Sequence, residues 1–195
     1  NQGMNPYPYT FSQKNHADEL LNGFRGLKKG EKSKINVSVA GRVMALRVMG
    51  KTSFGHLQDL SGKIQFYIKE DEIGKAYNIF KKLDLGDIIG LNGFVFKTKT
   101  GEISVWVKKF ELLCKSLRPL PEKWHGLKDP ELRYRQRYVD LIMNDWAREI
   151  ALKRSRIISA AREFLNSRGF IEVEIPTLQT VYGGANARPF QTHIN

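Results

Sequence analysis

The sequence predicts an α+β chain: a five-stranded β-barrel with one inter-strand helix, followed by the truncated beginning, helix then strand, of an antiparallel α/β domain. Three observations predict it. Five segments within residues 35–113 alternate apolar and polar residues with the two-residue period of half-buried strands. One segment between the third and fourth of these switches to helical spacing. Beyond a proline-rich stretch the helical period takes over, and one short strand-like run follows it.

Residues 1–31 read as an N-terminal arm, with Pro6, Pro8 and a short helix over Asp18–Arg25. Residues 32–118 hold the barrel. "INVSVAGRV" places Ile35, Val37 and Val39 on one face of a first strand. "SFGHLQDL" and "KIQFYIK" give the second and third strands, joined by a tight turn at Ser61-Gly62. "EDEIGKAYNIFKKL" puts Ile73, Ala76, Tyr77, Phe80 and Leu83 at helical spacing. Its acids fall in the first turn and Lys81 and Lys82 in the last, as the helix dipole favours. "DIIGLNGFVFKT" and "EISVWVKKFELL" are the fourth and fifth strands, joined by the loop Thr98–Gly101. This order is that of the OB-fold, a Greek-key barrel whose face and loops bind oligonucleotides or oligosaccharides.

Residues 119–130 form a linker punctuated by Pro119, Pro121 and Pro130. Residues 131–195 open a second, incomplete domain. "ELRYRQRYVDLIM" reads as one helix. Asp145 caps another, whose apolar stripe is Trp146, Ile150, Ile157, Ala161, Phe164 and Leu165. Gly169 ends that helix in a left-handed residue, and "FIEVEIP" is a strand stopped by Pro176. One helix feeding one strand cannot close a core, so the chain reads as a piece of a longer polypeptide.

The formal net charge is +12. The first 118 residues carry 20 Lys and Arg against 11 Asp and Glu, and the remainder 12 against 9. The excess of +9 on the barrel side favours a polyanion, with nucleic acid the first candidate; a merely Lys-rich solvated surface is the alternative. A single cysteine, Cys114, excludes an internal disulfide and a Cys-based metal cluster, and the four His show no ligand spacing. No apolar run approaches the roughly 20 residues of a membrane span. No secretory signal opens the sequence, so a cytoplasmic location is expected.

Strand parity selects the face that would touch nucleic acid. With Leu57, Ile64, Phe66, Ile68, Ile103, Val105 and Val107 inward, the residues outside are Phe54 and His56, Gln65 and Tyr67, and Glu102, Ser104 and Trp106. An aromatic ring, an amide and a carboxylate thus share one surface, with Arg42, Arg47, Lys51, Lys97 and Lys99 around them. Such a set can stack on an unpaired base and complement the hydrogen-bonding edge of uracil. Two plainer readings stand beside it: Phe54 capped by the N-terminal arm, and Glu102 simply paired with Lys99.

The segments "VAGRV", "SFGHLQD", "GKIQFYI", "LDLGDIIGLNG", "KTKTGEISV", "LRPLPEKWHGLKDPELRYRQRYVDLI", "RGFIEVEIPTL" and "GGANARPFQTHIN" resemble class II lysyl-tRNA synthetases in order and spacing, from about Lys34 to Asn195. The resemblance implies a lysine–tRNA ligase, a homodimeric enzyme that attaches lysine to tRNA-Lys using ATP and Mg²⁺. It implies that the barrel reads the anticodon: Phe54 stacks on the central uridine, Gln65 and Glu102 recognise it, and Arg42, Arg47 and His56 reach phosphates or neighbouring bases. The family often has a second basic residue before Arg47; here that position is Leu46.

"RGFIEVEIP" resembles the first class II motif, which implies a dimer interface at Arg168, Gly169, Phe170 and Pro176. "GGANARPF" resembles the segment lining the lysine pocket, which implies contacts from Gly183, Gly184 and Ala185 to substrate lysine. A residue without Cβ lets a ligand approach the main chain; a plain Gly-Gly turn is the alternative. The family's ATP- and Mg²⁺-binding motifs have no counterpart in these residues. No catalytic or metal-binding residue is therefore assigned, and the chain alone is expected to be inactive. Rival readings are an aspartyl- or asparaginyl-tRNA synthetase relative, which "GGANARPF" argues against, and a non-catalytic OB-fold RNA-binding module.

Overall fold

A computed structural model describes residues 8–121, 127–176, 188, 190 and 192–193. The chain divides into two compact units, Asn1–Glu122 and Lys123–Asn195.

In the first unit five strands close into a barrel: β1 (Lys32–Met49), β2 (Thr52–Gln58), β3 (Lys63–Lys69), β4 (Ile88–Lys97) and β5 (Ile103–Cys114), in the order β1-β2-β3-β5-β4. All neighbours are antiparallel except β3 and β5. The inward residues Val37, Val39, Val43, Leu57, Ile64, Phe66, Ile68, Ile89, Leu91, Val95, Val105 and Val107 are buried, as the alternation requires.

β1 is longer than the sequence pattern suggests. Its first half pairs with β4 and its second with β2, and a bulge between Val43 and Ala45 bends it from one neighbour to the other. A second irregularity between Lys32 and Asn36 breaks the parity at the strand's start. Ile35, expected on the inward face with Val37, is therefore 60% exposed.

The expected inter-strand helix is two short pieces, α2 (Glu70–Ile73) and α3 (Ala76–Phe80). Gly74 separates them at φ 57°, a backbone region few side chains tolerate. The apolar residues still reach the core. Tyr77 and Phe80 are fully buried, and the Tyr77 hydroxyl bonds Ser53 Oγ at 2.8 Å and donates to the Gly50 carbonyl at 3.0 Å.

α1 (Ala17–Gly23) packs on the barrel, with Ala17 and Leu20 in the core. Asp59 fixes it there. Its carboxylate accepts from Ala17 N at 2.8 Å and also holds the expected turn, accepting from Ser61 N, Ser61 Oγ and Gly62 N. Burial by itself would raise the Asp59 carboxyl above its usual range; the bonds from Ser61, Ala17 and Gly62 outweigh it and lower it. A carboxylate depressed in the folded state stabilises above its unfolded value of about 3.9, and that contribution is lost as pH falls through the folded value. Asp59→Ala is expected to cost about 1–3 kcal/mol at pH 7. Unfolding by denaturant at pH 7 and in acid should show the variant losing less on acidification than the unaltered protein.

The second unit begins with α4 (Pro130–Arg135). Pro130 occupies its first turn, and the Asp129 carboxylate accepts from Leu132 N at 2.8 Å. The single helix expected over 131–143 is broken at Gln136, with α5 (Arg137–Met143) following. The break lets Arg133 and Arg137 converge on the fully covered Asp140 carboxylate at 3.0 and 2.6 Å, with Asn144 Nδ2 at 2.7 Å. Burial opposes ionisation of Asp140, but Asn144, Arg133 and Arg137 more than offset it and lower the carboxyl.

α6 (Asp145–Ser167) is preceded by Asn144 as the capping position, so Asp145 lies in its first turn instead of capping it. Gly169 follows at φ 84°, as the sequence indicates. The apolar stripe is present but uncovered: Trp146, Ile150, Ile157, Phe164 and Leu165 are exposed, and Ala147 is the helix's buried residue. Residues 170–176 form no strand. A strand needs a hydrogen-bonded neighbour, and none of the described residues supplies one.

Candidate nucleic-acid interface

Barrel register lays outward side chains in rows that cross from strand to strand. Phe54 lies opposite Arg47 on β1 and Tyr67 on β3; Tyr67 lies opposite Trp106 on β5. The next row is His56 on β2, Gln65 on β3 and Ser104 on β5. Gly55, between Phe54 and His56, is required by the core beneath. A Cβ there would stand 2.3 Å from Phe66 Cζ and 2.7 Å from the Ala45 carbonyl oxygen.

The first row is a ring platform. Phe54 is half-buried, its centroid 4.7 Å from Tyr67, and Tyr67 is 4.8 Å from Trp106 in an edge contact. Burial raises the Tyr67 phenol above its usual value. Phe96 and Phe94 extend the ring contacts onto β4, and Lys32 Nζ sits 4.1 Å over Trp106.

The second row is a hydrogen-bonded set. Gln65 Nε2 donates to Glu102 Oε2 at 2.6 Å, and Gln65 Oε1 accepts from Ser104 Oγ at 2.7 Å. His56 Nε2 lies 3.0 Å from Glu102 Oε1, where an N–H donates to the carboxylate. Glu102 is presented by the β4–β5 loop. The loop is closed by Thr98 N donating to the Glu102 carbonyl and by Glu102 N donating to Thr98 Oγ1, both at 2.9 Å. Thr52, Phe54, Gln65, Tyr67, Phe96, Thr98, Lys99, Thr100 and Trp106 line a cleft of about 430 Å³ beside this set.

Phe54, His56, Gln65 and Glu102 are therefore brought together, with Arg47 in register beside Phe54. Arg42 is directed elsewhere. Its β2 neighbour is Gln58, and its Nη1 donates to the Gly86 carbonyl at 2.7 Å. Glu102 bonds Gln65 and His56, and the N-terminal helix docks at Asp59 and Ser61. Sequence reasoning gave no role to Ser104 or Lys32. Parity placed Ser104 outside without showing that Gln65 and Glu102 would cover it.

Arg168, Gly169, Phe170 and Pro176 follow α6 as an exposed segment. The Arg168 guanidinium lies 4.1 Å over the Phe164 ring, and Arg162 pairs with Glu172 at 3.0 Å. Gly183, Gly184 and Ala185 lie outside the described residues. Among the described residues no group of three or more His, Cys, Asp or Glu is placed to hold a metal ion, and no helix is long and apolar enough to cross a membrane.

Residues 37–113 match an OB-fold nucleic-acid-binding domain of the anticodon-binding type, and residues 129–195 match the class II tRNA synthetases of the D, K and N group. The chain thus carries an OB-fold domain of the anticodon-binding type and part of a class II tRNA synthetase domain, and the relatives it resembles are lysine–tRNA ligases. The lysine–tRNA ligase of Carboxydothermus hydrogenoformans is 56% identical over 194 residues, covering 99% of this chain and 39% of that protein. Those of Thermosipho africanus and Thermotoga maritima are 53% and 52% identical, covering 100% and 99% of this chain and 39% of each relative. The chain thus spans about two-fifths of the length of these relatives.

Proposed function

We propose that this chain is the anticodon-reading barrel and the opening of the catalytic domain of a lysine–tRNA ligase, and that its barrel reads the central uridine of the lysine anticodon. The observation that carries the proposal is the row His56–Gln65–Ser104 with Glu102 across it, set beside the Phe54 platform. The Phe54 ring supplies a stacking face for an unpaired base. Gln65 Nε2 keeps one hydrogen free of Glu102, and Glu102 keeps lone pairs free of Gln65 and His56. Side by side they offer a donor and an acceptor. Uracil answers with the O4 acceptor and the N3–H donor; cytosine presents a donor and an acceptor in the opposite order. Arg47, next to Phe54, supplies positive charge for a flanking phosphate. Arg42, held at Gly86, serves the barrel and is left out of the interface.

The remainder of the proposal follows the family. The parent enzyme uses ATP and Mg²⁺ to activate lysine and works in the cytoplasm as a homodimer. Gly183, Gly184 and Ala185 line the lysine pocket. Arg168, Gly169, Phe170 and Pro176 belong to the dimer interface. Support for the last comes from the apolar run Phe170, Ile171, Val173 and Ile175, each 63–84% exposed, which a second copy would cover.

Filter binding tests the barrel's part. The chain is expected to bind a hairpin bearing the lysine anticodon more tightly than a hairpin of equal length and charge with an unrelated loop. The margin should persist as salt rises, because base contacts do not depend on counterion release. Equal affinities for the two hairpins would defeat the reading.

A further inference from the structure

Ser104 has an outward parity yet no exposure, because Gln65 and Glu102 lie over it. It cannot touch RNA. Its hydroxyl has one hydrogen to donate, and that hydrogen goes to Gln65 Oε1 at 2.7 Å; the Glu102 carbonyl is a distant second acceptor at 3.4 Å. The other end of the same amide donates to Glu102 at 2.6 Å. Turning the amide over would set its oxygen against a carboxylate oxygen at that separation, and would make Ser104 Oγ accept from the NH₂ group with its hydrogen left to the distant Glu102 carbonyl. The two partners therefore select one orientation of a group that otherwise has two nearly equal ones.

We propose that Ser104 is a positioning residue for anticodon discrimination. From beneath the surface it fixes the rotation of the Gln65 amide, and so the order of donor and acceptor offered to the central base. The register makes this possible: the parallel pairing of β3 with β5 puts Ser104 directly opposite Gln65. The inference rests on the proposed reading of the site and adds to it the residue that sets its selectivity.

The test is the ratio of affinities for hairpins carrying U or C at the centre of the anticodon, measured with the whole chain. Ser104→Ala is expected to reduce that ratio about three- to tenfold, the range for one lost hydrogen bond. Ser104→Thr, which keeps the hydroxyl, is expected to restore it. In a Gln65→Ala background Ser104→Ala should change the ratio no further, since no amide remains to be oriented. Thermal melting of each variant separates this from loss of fold. A ratio unmoved by Ser104→Ala, or an effect of equal size without Gln65, overturns the positioning role alone. No preference for U in the unaltered chain overturns the reading of the site and this inference together.

Discussion

Phe54→Ala is expected to lower affinity for the lysine anticodon hairpin by about ten- to a hundredfold, the range for removing one base-stacking ring. Phe54 is half-buried and lies outside the barrel core, so the same change leaves the core residues in place. The loss comes from two sources. The base would lose its stacking partner, and Tyr67 a tilted ring contact at 4.7 Å. Because the Phe54 ring bears no charge, the variant is expected to keep the salt dependence of the parent. Phe54→Tyr, which retains the ring face, should retain most of the affinity. Filter binding at several salt concentrations checks both statements. A Phe54→Ala variant that binds as the parent does would mean that the base is held elsewhere.

The largest effect on stability is expected from Gly93→Ala. Gly93 lies at an irregularity in the pairing of β4 with β5, beside Val107. A Cβ there would stand 1.9 Å from the Trp106 carbonyl oxygen and 2.9 Å from its carbonyl carbon. Both are backbone atoms, so no side chain can turn aside. β5 must move or the pairing must open, at about 3 kcal/mol or more. For a unit of this size that is a fall in melting temperature on the order of 10–20 °C. RNA binding should weaken as well, because the strand displaced carries Ser104 and Trp106. A variant that melts with the parent would show that β5 does not approach Gly93 this closely.

Much of the barrel can be read from the sequence because each strand buries one face, and a period of two is a local signal. The same signal places Phe54, Gln65 and Glu102 outside together. It fails where pairing is irregular, as at Ile35, whose parity is reset by the shift between Lys32 and Asn36. It also hides the break at Gly74, since Ile73, Tyr77 and Phe80 keep helical spacing across two short helices. "FIEVEIP" has a strand's composition without a neighbour among the described residues, and composition cannot provide one. The bond from Ser104 to Gln65 depends on the parallel register of β3 and β5, 39 residues apart in sequence, which no local pattern encodes.

Gln65 on β3 and Glu102 on the β4–β5 loop are proposed to present a donor and an acceptor to one base stacked on Phe54 of β2. The most direct measurement of this is the equilibrium affinity of the chain for two hairpins that differ only by U or C at the middle anticodon position, at low and high salt. A preference for U of about tenfold or more is expected, unchanged as salt weakens both complexes. Equal affinities at every salt concentration would contradict it, and would leave the barrel a basic surface that does not distinguish the bases.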